Sequence, residues 1–213
     1  MLSLVLHPDQ VQRLAAELRR AKEQEIGGVL VGEQLAPDVF RLVDFSVQRT
    51  GGTATCFVCD PDAHSEFLDA FFQRTGANFS RFNYLGEWHS HPRFSVAPSP
   101  QDVAQMQSLV DEAPDRRPFA VLMVVRLAQG KCVEVGSLSF RSQYEPQNVD
   151  VSVSPRSKSE EVPEGRSWIR RLLAPTPDPQ LVVVTSAKNA ASLQGRANRI
   201  ASQADGSSPK ERK

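Results

Sequence analysis

The chain has 213 residues, with 25 Lys+Arg balanced by 25 Asp+Glu and a hydrophobic fraction of 40%. Zero formal net charge gives no global attraction to phosphate backbones or anionic lipid, so neither nucleic acid nor a membrane surface is an expected partner. No apolar run reaches the roughly 18 residues of a membrane span, residues 1–9 lack the pattern of a signal peptide, and Cys56, Cys59 and Cys132 cannot all pair; a folded cytoplasmic protein is expected.

In chain order, residues 2–6 read as a short strand and 9–22 as an amphipathic helix with Val11, Leu14, Ala15 and Leu18 on one face. Residues 26–31 are predicted as a buried strand, 39–47 as its antiparallel neighbour and 55–59 as another strand. Asp60-Pro61 opens a helix to about residue 74, with Phe67, Leu68, Phe71 and Phe72 as its apolar stripe and Gly76 at its end. A strand follows over 82–89, a helix from Ser99, and a hairpin of 120–126 with 132–140 around Gln129-Gly130. This order predicts an α/β fold with a mixed, largely antiparallel sheet flanked by helices. Composition shifts at Tyr144, because residues 145–164 are rich in Pro, Ser, Glu and Lys and too polar to offset their own ordering entropy by burial. The expected organisation is therefore a domain over 1–144 and a polar linker with a weakly structured extension over 145–213. In that extension a strand at 181–185 and helices at 167–173 and 187–201 are the predicted elements.

The chemistry concentrates in Gly86-Glu87-Trp88-His89-Ser90-His91-Pro92, followed by Ser99-Pro100-Gln101-Asp102. On extended backbone, residues two apart point to the same side, so His89 and His91 can aim both imidazoles at one point. Two neutral imidazoles and a carboxylate form a usual ligand set for catalytic zinc, with Asp102 as the candidate carboxylate. Each half alone has a plainer reading. A lone His-x-His is more often structural, and Ser99-Pro100-Gln101-Asp102 is a helix start with serine at the N-cap, proline at N1 and an acid in capping-box position. Together they make a metal site the better reading.

His-Ser-His-Pro followed by Ser-x-x-Asp resembles the JAMM motif of the JAB/MPN metalloprotease family. Glu25, in Glu25-Ile26-Gly27-Gly28-Val29-Leu30-Val31-Gly32, matches the glutamate strand of that family. The resemblance spans about residues 1–143 and implies one zinc per chain held by His89, His91 and Asp102, with Glu25 and Ser99 catalytic. Glu25 would take a proton from water and return it to the leaving amine, and Ser99 would donate to the oxyanion of the tetrahedral intermediate. Alone, Glu25 reads as an ordinary solvated charge. Phe94, in the loop beside the metal, is the candidate substrate contact.

The resemblance further implies cleavage after the C-terminal glycine of a ubiquitin-like protein, in deconjugation or precursor processing. Residues 71–76 with 82–92 look like the stand-alone bacterial members of antiphage operons (BIL and CBASS), so partners would be the ubiquitin-like protein, its conjugates and the operon's activating and conjugating enzymes. Two other readings remain: a JAB peptidase acting on a sulfur-carrier protein in cysteine or cofactor synthesis, and a metal-free MPN scaffold. Cys56 and Cys59 read as buried core thiols, and His7 and His64 as surface residues.

Overall fold

A computed structural model of the chain describes residues 1–54, 56–112, 117–129, 132–155 and 180–183. Its elements are β1 (Ser3–Leu6), α1 (Pro8–Ala21), β2 (Gly27–Ala36), β3 (Val39–Phe45), α2 (Ser65–Arg74), β4 (Phe82–Ser90), α3 (Pro100–Asp111), β5 (Ala120–Ala128), β6 (Cys132–Phe140), β7 (Gln147–Asn148), β8 (Asp150–Val153) and β9 (Gln180–Val183). The strands form one sheet in the order β7-β6-β5-β4-β2-β3-β1-β8, with β9 also on β6. The long ladders β2–β3, β2–β4 and β5–β6 are antiparallel, while β4–β5 is parallel. This is the mixed, mostly antiparallel α/β architecture that the element order predicts. None of the described helices is long and apolar enough to cross a membrane.

Strand β5 shows how the layers are made. Its continuous run Ala-Val-Leu-Met-Val-Val is apolar on both faces, as a strand covered on both sides requires. Val121, Met123 and Val125 join the core under α1, with Leu14, Ala15 and Leu18 of that helix; Ala120, Leu122 and Val124 join a second core with Val103, Met106 and Val110 of α3. Trp88 of β4 pairs with Met123 and lies in the α1 core, so its neighbour His89, paired with Val124, faces the α3 layer. The α3 layer is therefore where the histidines and Asp102 can meet.

Several expectations need correction. Residues 56–59 are irregular rather than a strand, and Thr55 lies outside the described residues. Phe57 is held there by packing against Val29 and Cys59 instead of by a ladder. The helix expected from Asp60-Pro61 opens as a 3-10 turn, Pro61–His64, capped by the Asp60 carboxylate, and α2 starts at Ser65 with only Phe71 fully buried. His64 is not a surface residue. It is 1% exposed, and its Nδ1 lies 2.8 Å from Ser46 Oγ.

The sheet also continues past Tyr144. Residue Val149 separates β7, which pairs antiparallel with β6 at one end of the sheet, from β8, which pairs parallel with β1 at the other. Val149 and Val151 are buried in the α1 core with Leu2 and with Leu4 and Leu6 of the first strand. The alternation Val149, Val151, Val153 supplies a strand face that the polar composition of 145–164 conceals. Gln180–Val183 adds a parallel strand to β6, close to the predicted strand at 181–185. The predicted helices at 167–173 and 187–201 lie outside the described residues.

Candidate metal centre

His89 stands near the end of β4, and His91 follows it with its N–H donating to Val125 O at 2.9 Å. That bond continues the pairing with β5, so the alternation holds and both imidazoles emerge on the α3 face. Asp102 is brought there by the start of α3, which Pro100 pre-organises at the first helical position. The Asp102 N–H donates to Ser99 Oγ at 3.2 Å, and the Ser99 N–H donates to Asp102 Oδ2 at 2.6 Å, completing a capping box. That same Oδ2 lies 3.6 Å from His89 Nε2 and 3.8 Å from His91 Nε2. The two Nε2 atoms are 3.1 Å apart, and among the described residues these three side chains form a group that could hold a metal ion.

The donor chemistry fits such an ion. His91 Nδ1 lies 2.8 Å from the Ser95 carbonyl oxygen, an acceptor only, so Nδ1 carries the proton and Nε2 presents a lone pair to the centre. Burial lowers the His91 pKa and keeps the ring neutral, as a ligand must be. Burial pushes the Asp102 carboxyl up, but His89 and Ser99 outweigh it and hold it at about 2, so it remains an anion. Two nitrogen donors and one carboxylate oxygen, with a cavity beside them, match a catalytic zinc set more closely than an all-oxygen magnesium or calcium site.

Glu25 precedes β2 and is fixed from two directions. Its N–H donates to Thr53 O at 2.8 Å, and the adjoining Ile26 is tied to Ser90 by two bonds, Ser90 N to Ile26 O at 2.8 Å and Ile26 N to Ser90 Oγ at 3.0 Å. Ser90, the residue between the histidines, thereby registers the glutamate against them. Glu25 is 3% exposed, not a solvated charge, and its burial raises the carboxyl pKa. Gly27 is required beside it, because a Cβ there would collide with the Trp88 carbonyl oxygen and the Phe57 ring. Phe57 in turn stacks on His89, with centroids 6.2 Å apart and planes at 24°.

A cavity of about 290 Å³ opens on this group, lined by Glu25, His91, Ser99 and Asp102 together with Cys56 and Phe94. The structure therefore places all the residues picked out for catalysis, metal ligation and substrate contact at or around one centre. Phe94 is half-exposed, with its ring edge-on to His91 at 6.5 Å. Cys59 is buried, and desolvation pushes its thiol up to about 12, so it stays protonated at neutral pH. Cys56 is only half-buried and reaches the cavity wall. Ser90 and Phe57 are the contributors that sequence reasoning missed; the position of Ser90 in His-Ser-His was a usable signal, whereas nothing local marks Phe57.

Residues 7–141 match the family described as prokaryotic homologs of the JAB domain. The solution structure of a protein from Desulfitobacterium hafniense is similar in fold, with a TM-score of 0.52 at 17% identity, covering 74% of this chain and 97% of that one. No curated protein matches the sequence.

Proposed function

Because the chain belongs to the family of prokaryotic homologs of the JAB domain, we propose that it is a zinc-dependent peptidase, with His89, His91 and Asp102 holding the ion and Glu25 as the general base. The observation that carries this reading is the convergence of His89 Nε2, His91 Nε2 and Asp102 Oδ2 beside a cavity lined by His91, Asp102 and Glu25. A scaffold role would not need that donor set, nor a buried carboxyl beside it. Zinc bound there supplies a water whose pKa is lowered to about 7 and a Lewis acid that polarises the scissile carbonyl.

The chain's own residues do the rest. Burial raises the Glu25 pKa toward the range in which a carboxylate can both take a proton and return it, so it accepts one from the attacking water and delivers it to the leaving amine. Ser99 Oγ accepts from the Asp102 N–H and still has its own proton to donate to the developing oxyanion. Asp102 is locked by the capping box, which fixes its oxygen between the histidines before substrate arrives.

For the substrate we propose a ubiquitin-like protein cleaved after its C-terminal glycine, in deconjugation or precursor processing within an antiphage operon, with Phe94 touching the extended tail. This rests on the motif resemblance. A fusion of such a protein to a reporter, incubated with the zinc-loaded chain, should be cut after the glycine. Glu25→Gln should lose turnover by about 100-fold or more while retaining the metal. Absence of cleavage for every glycine-terminated ubiquitin-like candidate would remove the substrate assignment, and loss of metal in Glu25→Gln would make Glu25 a ligand.

A further inference from the structure

Residues 91–99 join β4 to α3 as an irregular loop, and two of its groups bear on the metal centre: the Ser95 carbonyl on His91 Nδ1 and the Phe94 ring on the cavity wall. Two contacts fasten this loop to the sheet. Val96 is buried in the α3 core, and its carbonyl oxygen sits so close over Gly136 of β6 that a Cβ there would collide with it. The second contact comes from β5, where Arg126 Nη1 donates to the Phe94 carbonyl at 3.1 Å. Arg126 stands two residues beyond Val124, the β5 partner of His89, so strand parity places it on the face that carries both histidines. Its guanidinium is fixed in turn by Glu134, directly opposite on β6. Arg126 Nε donates to Glu134 Oε2 at 2.9 Å, and Nη2 donates to the same oxygen. The planar fork leaves Nη1 aimed at the loop.

We propose that Arg126, oriented by Glu134, is a positioning residue for the metal centre: by holding the Phe94 carbonyl it keeps the next carbonyl, that of Ser95, on His91 Nδ1. The inference rests on the zinc reading above. The Ser95 oxygen can only accept, so it decides which ring nitrogen of His91 carries the proton and leaves Nε2 as the free donor. The guanidinium therefore acts on the ligand through two consecutive peptide units, without touching the ring. Without it, Val96 alone anchors the loop, from the far side of Ser95. The Ser95 carbonyl can then turn to water, which releases His91 to the other tautomer, protonated at Nε2 and unable to bind a metal there. The same contact holds the backbone of Phe94, whose ring stands edge-on to His91.

Zinc affinity would be measured by chelator competition on the full chain and on its Arg126→Ala, Arg126→Lys and His91→Ala variants. In the metal-free, ¹⁵N-labelled proteins the His91 ring nitrogens would be followed by long-range ¹H–¹⁵N correlation. Arg126→Ala is expected to bind zinc about 10–100-fold more weakly. Its His91 Nδ1 and Nε2 signals, well separated in the wild type, should move toward each other as the two tautomers mix. Amide shifts should gather in residues 91–99 and around the substitution. Arg126→Lys should fall between Arg126→Ala and the wild type, because a compact ammonium has no fork with which to span Glu134 and Phe94. The His91→Ala variant separates this inference from the reading beneath it: zinc bound there as tightly as by the wild type removes His91 as a ligand and the zinc reading with it. With His91 needed for zinc, an Arg126→Ala variant that keeps the wild-type ring signals or the wild-type zinc affinity overturns the positioning role alone. Amide shifts spread over all of β5 and β6 would also overturn it, making the ion pair a brace of the sheet.

Discussion

Replacing Ser90 by alanine tests how Glu25, the proposed general base, is held. The Ser90 hydroxyl accepts the Ile26 N–H at 3.0 Å, and both residues are 1% exposed, so no solvent is at hand to replace the lost acceptor. Removing the oxygen leaves a buried donor unpaired, which costs about 1–3 kcal/mol. That is a sizeable share of the roughly 5–15 kcal/mol by which domains are stable. For a body of this size it corresponds to a fall in Tm of about 2–12 °C. Urea and thermal unfolding of the wild type, Ser90→Ala and Ser90→Thr would read the effect. Threonine keeps the hydroxyl and suits a strand, so it should recover most of the loss. Zinc content should stay unchanged in all three, since Ser90 does not point at the metal group. An alanine variant within about 0.3 kcal/mol of the wild type, or a threonine variant as unstable as the alanine one, would refute the idea that this hydroxyl registers Glu25 against the histidines.

Three other outcomes follow from the fold. The Arg49 guanidinium binds Glu17 through two bonds, at 2.8 and 2.9 Å, and holds its carboxyl below the usual range. The stability this contributes is complete above the unfolded value of about 4.3 and is lost as pH falls from there through the folded pKa. Glu17→Gln should therefore be less stable than the wild type in urea at pH 7, with the gap narrowing below about pH 4.3; a constant gap down to pH 3 would contradict it. Val151 is buried where β8 joins β1, so Val151→Ala should cost about 1–3 kcal/mol. A chain ended at Tyr144 should have a lower urea midpoint than one ended at Pro155, and equal midpoints would show that β7 and β8 add nothing to the body.

The convergence of His89, His91 and Asp102 was legible because its signals are local. His89 and His91 share a face by strand parity, and Asp102 sits in a helix start spelled out by Ser99 and Pro100. Glu25 had no such signal, since its burial depends on Thr53 and Ser90, both remote in sequence. His64 was misread for the same reason: its partner Ser46 is 18 residues away, across a loop that does not form the predicted strand. The closing strand β8 carried its valine alternation openly, but the glutamates, prolines and serines around it outweighed four residues of pattern. Residues 56–59 failed the other way, with strand-prone composition and no strand formed among them.

The central claim, a zinc ion held by His89, His91 and Asp102, is tested most directly by an anomalous difference map at the zinc edge from crystals of the zinc-loaded chain. One peak is expected, about 2.0–2.2 Å from His89 Nε2, His91 Nε2 and an Asp102 oxygen, and absent from crystals of the His89→Ala, His91→Ala double variant. A peak at Cys56 and Cys59, or none within reach of the two histidines, would contradict the account.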